Sequence, residues 1–173
     1  MYEYVLVMIF LVIDIDQTLY KTTTNMDYEK IQYDDELYQL LNTEYPKFVL
    51  TNATFGHADI IVNKLRLSPL IKKIYSRDNV MYMKPHKHSY TMVQNDIYEM
   101  YADQSSPPIF GYDSYYFFDD LLENLEAAKK VGWNTIWIHP NTMNELHNYV
   151  NYVDYSYPDI KSALKGLRSK NVL

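Results

Sequence analysis

Residues 8–13 are six apolar side chains in a row; the run stops on Asp14, and a second carboxylate, Asp16, follows after one isoleucine. A short run with no polar side marks a strand buried in the middle of a sheet. A buried strand that ends on Asp-x-Asp holds acidic groups at the sheet edge, where a cation or a phosphoryl group can meet them. Alone the pair says little, because aspartates at strand ends also form turns and helix caps. Three later segments give it meaning.

The 173 residues suffice for one domain with a real core, and two domains would be cramped. A hydrophobic fraction of 47% describes a globular protein, and a formal charge of −6 speaks against a general nucleic-acid coat, though not against a nucleotide. There is no cysteine, which removes disulfides, thiolate metal sites and a cysteine nucleophile and fits a reducing compartment. The stretch 5–13 resembles a signal peptide in length only: Glu3 precedes it, no basic region does, and it runs straight into Asp14. It is also too short to span a bilayer. A soluble, cytoplasmic protein with no membrane partner is expected. Nineteen tyrosines against four glycines match the codon bias of an AT-rich genome, as in a large DNA virus or a parasite.

Apolar runs alternate with helical periods, the pattern of a parallel sheet covered by helices. Strands are predicted over 8–14, 47–51, 73–76, 115–119 and 135–139, and helices over 58–66, 86–101 and 122–131, the last closed by Gly132. The tail adds helices near 142–150 and 158–169. Pro107, Pro108 and Gly111 mark a loop inside the domain, since another core strand follows. The expected fold is α/β, a Rossmann-like three-layer sandwich around a mostly parallel sheet of about five strands. It forms one domain over 1–173, with a small helical insert at about 21–46.

In open α/β sheets, ligands bind outside the carboxyl ends of the strands, and the polar residues of this chain fall there. Asp14 and Asp16 end the first strand, Thr51 and Asn52 the second, and Asp119 and Asp120 the fourth, while Lys84 and Pro85 precede the 86–101 helix. Taken singly, Thr51 or Asp120 is a helix cap and Lys84 a solvated lysine. Taken together, in this order and at one edge, they form a site.

The order Asp-x-Asp-x-Thr, Thr-Asn, Lys-Pro, Asp-Asp resembles the haloacid dehalogenase superfamily of phosphohydrolases over nearly the whole chain. The segments around Ile13 to Lys21, Thr51 to Ala53, Lys84 to His86 and Phe118 to Asn124 are most similar to its pyrimidine 5'-nucleotidase group. The resemblance implies a magnesium-dependent phosphomonoester hydrolase that works through an aspartyl-phosphate, with nucleoside 5'-monophosphates as one substrate class. It implies Asp14 as nucleophile, Asp16 as acid and base, Thr51 and the Asn52 backbone N–H as holders of phosphoryl oxygens, and Lys84 as the balancing charge. It also implies Mg²⁺ on the carboxylates of Asp14 and Asp119 and the Asp16 carbonyl, with Asp120 in direct or water-mediated contact. The crowding of four aspartates agrees, since they would repel one another without a hard cation.

The departure from that group is the cap. Thirty-two residues separate Thr18 from Thr51, room for at most a small helical excursion, and 32 separate Thr51 from Lys84, where no second cap fits. An open site implies a bulky phosphorylated substrate, a phosphoprotein or nucleic-acid end, or a second subunit serving as lid in a homo-oligomer. Tyr20, Tyr28, Tyr33 and Phe55 lie near the motifs and could stack on a base, but a chain this rich in tyrosine puts some there by chance. His86 and His88, two apart on a predicted helix, do not share a face and make a poor metal pair. His57 is placed at the pocket entrance with no catalytic role. Two rival classes remain. A phosphoacceptor signalling domain carries its acidic groups in another order, and a catalytically silent protein of this fold would not need the whole acidic and lysine set.

Overall fold

The computed structural model describes residues 8–101, 113–140 and 151–173. Six strands form one sheet: β1 Ile9–Ile13, β2 Lys47–Leu50, β3 Ile71–Tyr75, β4 Ser114–Asp119, β5 Asn134–Ile138 and β6 Tyr155–Tyr157. All pairings are parallel and the order is β3-β2-β1-β4-β5-β6. Among the described residues five helices accompany them: α1 Asp35–Leu41, α2 Phe55–Lys64, α3 Lys87–Tyr101, α4 Leu122–Lys130 and α5 Ile160–Ser169. A single 3-10 turn, Tyr28–Lys30, precedes α1.

The period-2 alternation of strand side chains sorts the core into two layers. Leu11 and Ile13 of β1 join Val49, Phe118 and Ile136 beneath α1, α2 and α5, whose Leu41, Ile61 and Leu164 are buried there. Phe10 and Val12 point the other way, with Phe48, Phe117 and Trp133, against Tyr90, Val93 and Ile97 of α3 and Leu125 of α4. Each such side chain, fully withdrawn from water, contributes about 1.5–3 kcal/mol. On the second face Trp133 stacks on Tyr115 at 5.3 Å and meets Tyr90 edge-on at 5.4 Å. Offset and edge-on pairs of this kind add about 0.5–1.5 kcal/mol beyond burial.

The α/β sandwich is as expected, with two adjustments. The sheet has a sixth strand, β6, three half-buried residues too short to register as a strand by pattern. Helix α2 starts at Phe55, three residues before the expected 58, because the Thr54 side chain accepts from the His57 N–H and caps it there. Gly132 follows α4 with φ 90°, the left-handed stop that the sequence indicated. The expected helix at 142–150 and the Pro107-Pro108-Gly111 loop lie outside the described residues. Of the expected insert at 21–46, the helical part is α1, whose Leu37 and Leu41 are buried in the first core layer. Lys161 of α5 pairs with Asp34 at 2.9 Å and Glu36 at 3.1 Å, tying α1 to that layer. Among the described residues no helix is long and apolar enough to cross a membrane.

The chain crosses from β3 to β4 on the far side of β1, so the connections on either side of β1 run in opposite directions. At such a switch point the loops part and leave a crevice at the carboxyl ends of the strands.

Candidate active site

That crevice is an open cleft of about 540 Å³, and Asp14, Asp16, Thr51, Asn52, Lys84 and Asp120 all line it. Asp119 lies fully buried beneath them. The chain leaves β1 in a tight turn: the Asp14 N–H donates to the Phe118 carbonyl at 3.0 Å, and the Leu19 and Tyr20 N–H groups donate back to Asp14 and Ile15. Gln17 takes the left-handed φ of 59° that lets the turn close, and its amide donates to the Thr22 carbonyl at 2.7 Å.

Lys84 is the centre of the site. Its ammonium, buried, donates to Asp14 at 2.8 Å and to Asp119 at 2.6 Å. Burial opposes its charge, but Asp119 and Asp14 outweigh that and hold its pKa above the usual lysine value. The backbone at this position is fixed from the neighbouring strand: the Asn52 amide donates to the Lys84 carbonyl at 2.9 Å and accepts from the Lys84 N–H at 2.9 Å. Asn52 therefore uses its side chain to set Lys84, a task its sequence reading did not foresee. The Thr51 hydroxyl accepts from the Ala53 N–H at 3.1 Å, which shapes the same loop.

Carboxylate oxygens of Asp14, Asp119 and Asp120 lie within 4.8 Å of one another. Burial pushes Asp14 up to about 7, with Asp119 and Asp120 adding to the rise and Lys84 opposing it. Burial, then Asp119, pushes Asp120 up to about 6. The donors are all hard oxygens, and one more, the Asn124 side-chain carbonyl, is buried with no hydrogen-bond partner among the described residues, while its amide donates to Asp119 at 3.0 Å. This donor set fits a small divalent cation such as Mg²⁺ and offers nothing to a soft metal.

His57 lines the cleft, as expected, and Tyr28, His57 and Arg77 have partners that the sequence did not assign them. The His57 ring pairs with the Asp16 carboxylate at 2.9 Å and with the Tyr28 hydroxyl at 2.8 Å, making a chain Tyr28–His57–Asp16 along the cleft wall. In the tautomer whose Nε2 donates to the Asp16 carboxylate, Nδ1 is left to accept from the Tyr28 hydroxyl. Arg77, after β3, also lines the cleft, with its Nε donating to the Asn52 carbonyl at 2.7 Å. No sequence motif announces these pairings, which join distant segments. His86 precedes α3 instead of lying on it, and its ring stacks on His88 at 5.1 Å, so the expectation that the two point apart is corrected.

No family model matches the chain, and no curated protein resembles it in sequence. Solved structures do resemble it in fold. A hydrolase from Pseudomonas syringae is 14% identical, covers 93% of this chain with 98% of its own, and superposes with a TM-score of 0.66. The HAD-hydrolase YfnB from Bacillus subtilis, bound to magnesium, is 16% identical over 82% of this chain, with a TM-score of 0.58. L-2-haloacid dehalogenase from Xanthobacter autotrophicus is 14% identical over 82% of the chain, also at 0.58. The chain spans 57% of the YfnB structure and 63% of the dehalogenase.

These relatives correct the functional expectation. Those named by their reaction are haloacid dehalogenases, so this fold carries chemistry other than phosphate-ester hydrolysis. The magnesium-dependent phosphomonoester hydrolase, and the macromolecular phosphatase or silent binding protein set beside it, do not follow from the motif order. What is shared is the architecture: the chain has the α/β fold of the haloacid dehalogenase-type hydrolases, with its acidic cleft at the switch point of the sheet.

Proposed function

We propose that the protein is a hydrolase that works through a covalent ester on Asp14. The observation that supports this reading is the placing of the Asp14 carboxylate: at the end of β1, facing the cleft, and held at 2.8 Å by a buried ammonium. A carboxylate so fixed cannot turn away from a substrate, and lost orientational freedom is a large part of a nucleophile's efficiency.

In the first step an Asp14 oxygen forms a bond to the electrophilic atom of the substrate, and the bond from that atom to the leaving group breaks, its electron pair going with the leaving group. In the second, water is added across the new ester and restores the carboxylate. Asp16, exposed to the cleft, gives a proton to the leaving group and takes one from the water. Lys84 holds Asp14 in line and lowers the cost of its charge. Asp14, Asp119 and Asp120 would hold Mg²⁺, which supplies positive charge that draws an anionic substrate to the nucleophile.

The test is a panel of activated substrates that carry their leaving group on a saturated carbon, chloropropionate and bromoacetate, with para-nitrophenyl phosphate run beside them. A single turnover in ¹⁸O-labelled water, or intact-protein mass after rapid acid quench, reads the covalent step. The expected result is product release that Asp14→Asn abolishes, with an added mass mapped to Asp14 in the native protein. Product release unaffected by Asp14→Asn would sink the proposal.

A further inference from the structure

We infer that Arg77 is a specificity-determining residue, and that the substrate carries a second anionic group, outside the reacting centre, which the Arg77 guanidinium holds. The inference rests on the hydrolase reading for what happens at Asp14, but its own evidence is the distribution of charge in the cleft. Asp14, Asp16 and Asp120 line it, and its two formal cations are Lys84 and Arg77. Lys84 is already committed, with its ammonium buried between Asp14 and Asp119. Arg77 is not committed: among the described residues it makes no ion pair, and its side chain spends only Nε, on the Asn52 carbonyl.

That bond and the backbone bond from the Arg77 N–H to the Ala53 carbonyl at 3.1 Å pin the residue to the loop after β2. The side chain is thus anchored on the wall that carries Thr51 and Asn52 while the four N–H groups of its two terminal nitrogens stay without a partner among the described residues. A guanidinium presents these donors as a planar fork, matched to a two-oxygen anion and always charged. Among the described side chains that line the cleft, Arg77 is the formal cation left free for an anion, beside the charge that Mg²⁺ on the aspartate cluster would bring. One positive charge matches one carboxylate. The substrate class is therefore a small dianion, with one acidic group at Asp14 and a carboxylate or similar anion at Arg77.

The test uses binding, so that it does not depend on turnover. NMR titrations of the intact protein with magnesium chloride present compare acetate, with one anionic group, against malonate and sulfoacetate, with two. Malonate or sulfoacetate is expected to bind about tenfold more tightly than acetate, and their order tells a planar from a tetrahedral second anion. Arg77→Met should remove the advantage and leave acetate unchanged, while Arg77→Lys, which keeps the charge but not the fork, should retain part of it. Equal binding of one- and two-anion probes, failure of all three to bind, or an advantage that survives in Arg77→Met would overturn the inference. An absent Asp14 adduct would overturn the hydrolase reading and leave this result standing.

Discussion

At the scale of single residues the site separates groups that are held from groups that hold. Asp16 is half-exposed and reaches its place through His57, which the Tyr28 hydroxyl braces from behind. Two hydrogen bonds in series fix the ring, and the ring fixes one carboxylate oxygen. If Asp16 is the acid and base, His57 is its positioning residue. His57→Ala should then lower kcat by about tenfold with KM nearly unchanged, because substrate binding does not use the ring. His57→Gln, whose amide can still donate toward Asp16, should recover part of the loss, and Tyr28→Phe should cost less than His57→Ala. Steady-state kinetics on whichever substrate the panel identifies decides it; a rise in KM with kcat intact would show that the ring serves binding instead.

At the scale of elements, α5 passes close against β6 at Gly166. A Cβ added at Gly166 would lie 2.6 Å from both Cζ and the hydroxyl oxygen of Tyr157, well inside contact distance. The glycine is there to let the helix pass the ring, since its backbone is ordinary helix. Glycine inside a helix costs about 1 kcal/mol against alanine, so removing it would stabilise α5 if nothing stood in the way. Gly166→Ala should instead destabilise the protein by about 1 kcal/mol, the strain of displacing the ring exceeding the gain in helix propensity. In a Tyr157→Ala background the same change should become stabilising. A double-mutant cycle of denaturant midpoints measures the sign change, and a Gly166→Ala that is neutral or better in both backgrounds would dispose of the close-packing account.

For the whole molecule, what could be read from sequence was what lies close together in sequence. The β1 run with Asp14 and Asp16 at its end, Thr51 after β2 and Asp119 at the end of β4 were legible because strand ends in a parallel sheet share one edge, whatever the loops do. β6 was not, being three half-buried residues. Nor were His57 against Asp16, 41 residues apart, or Arg77 against Asn52, 25 apart, since no local period encodes such pairings. The aspartates that were legible also set how stability follows pH. Asp14 and Asp120 are pushed up to about 7 and about 6, above the value of about 4 expected in the unfolded chain. Groups raised in the folded state favour folding at low pH, and that contribution is lost as pH rises through the folded values. Asp34, Glu36 and Asp96 are lowered by their lysine partners and act only on the acid side of this window. Lys47, lowered by burial to about 8, acts only above it. Between about pH 5 and about pH 7.5 the cation-free protein should therefore lose about 2–4 kcal/mol. Asp113, also raised by burial, shifts stability in the same sense and lies outside the acidic cluster. Magnesium should remove the part that belongs to the cluster, since a bound cation favours the ionised carboxylates, and should raise the melting temperature more at the upper pH than at the lower. Asp14→Asn should flatten the cation-free curve and weaken the response to magnesium. Thermal midpoints across this range, with magnesium and with EDTA, provide the measurement, and superimposable curves would mean that the three aspartates do not bind the ion.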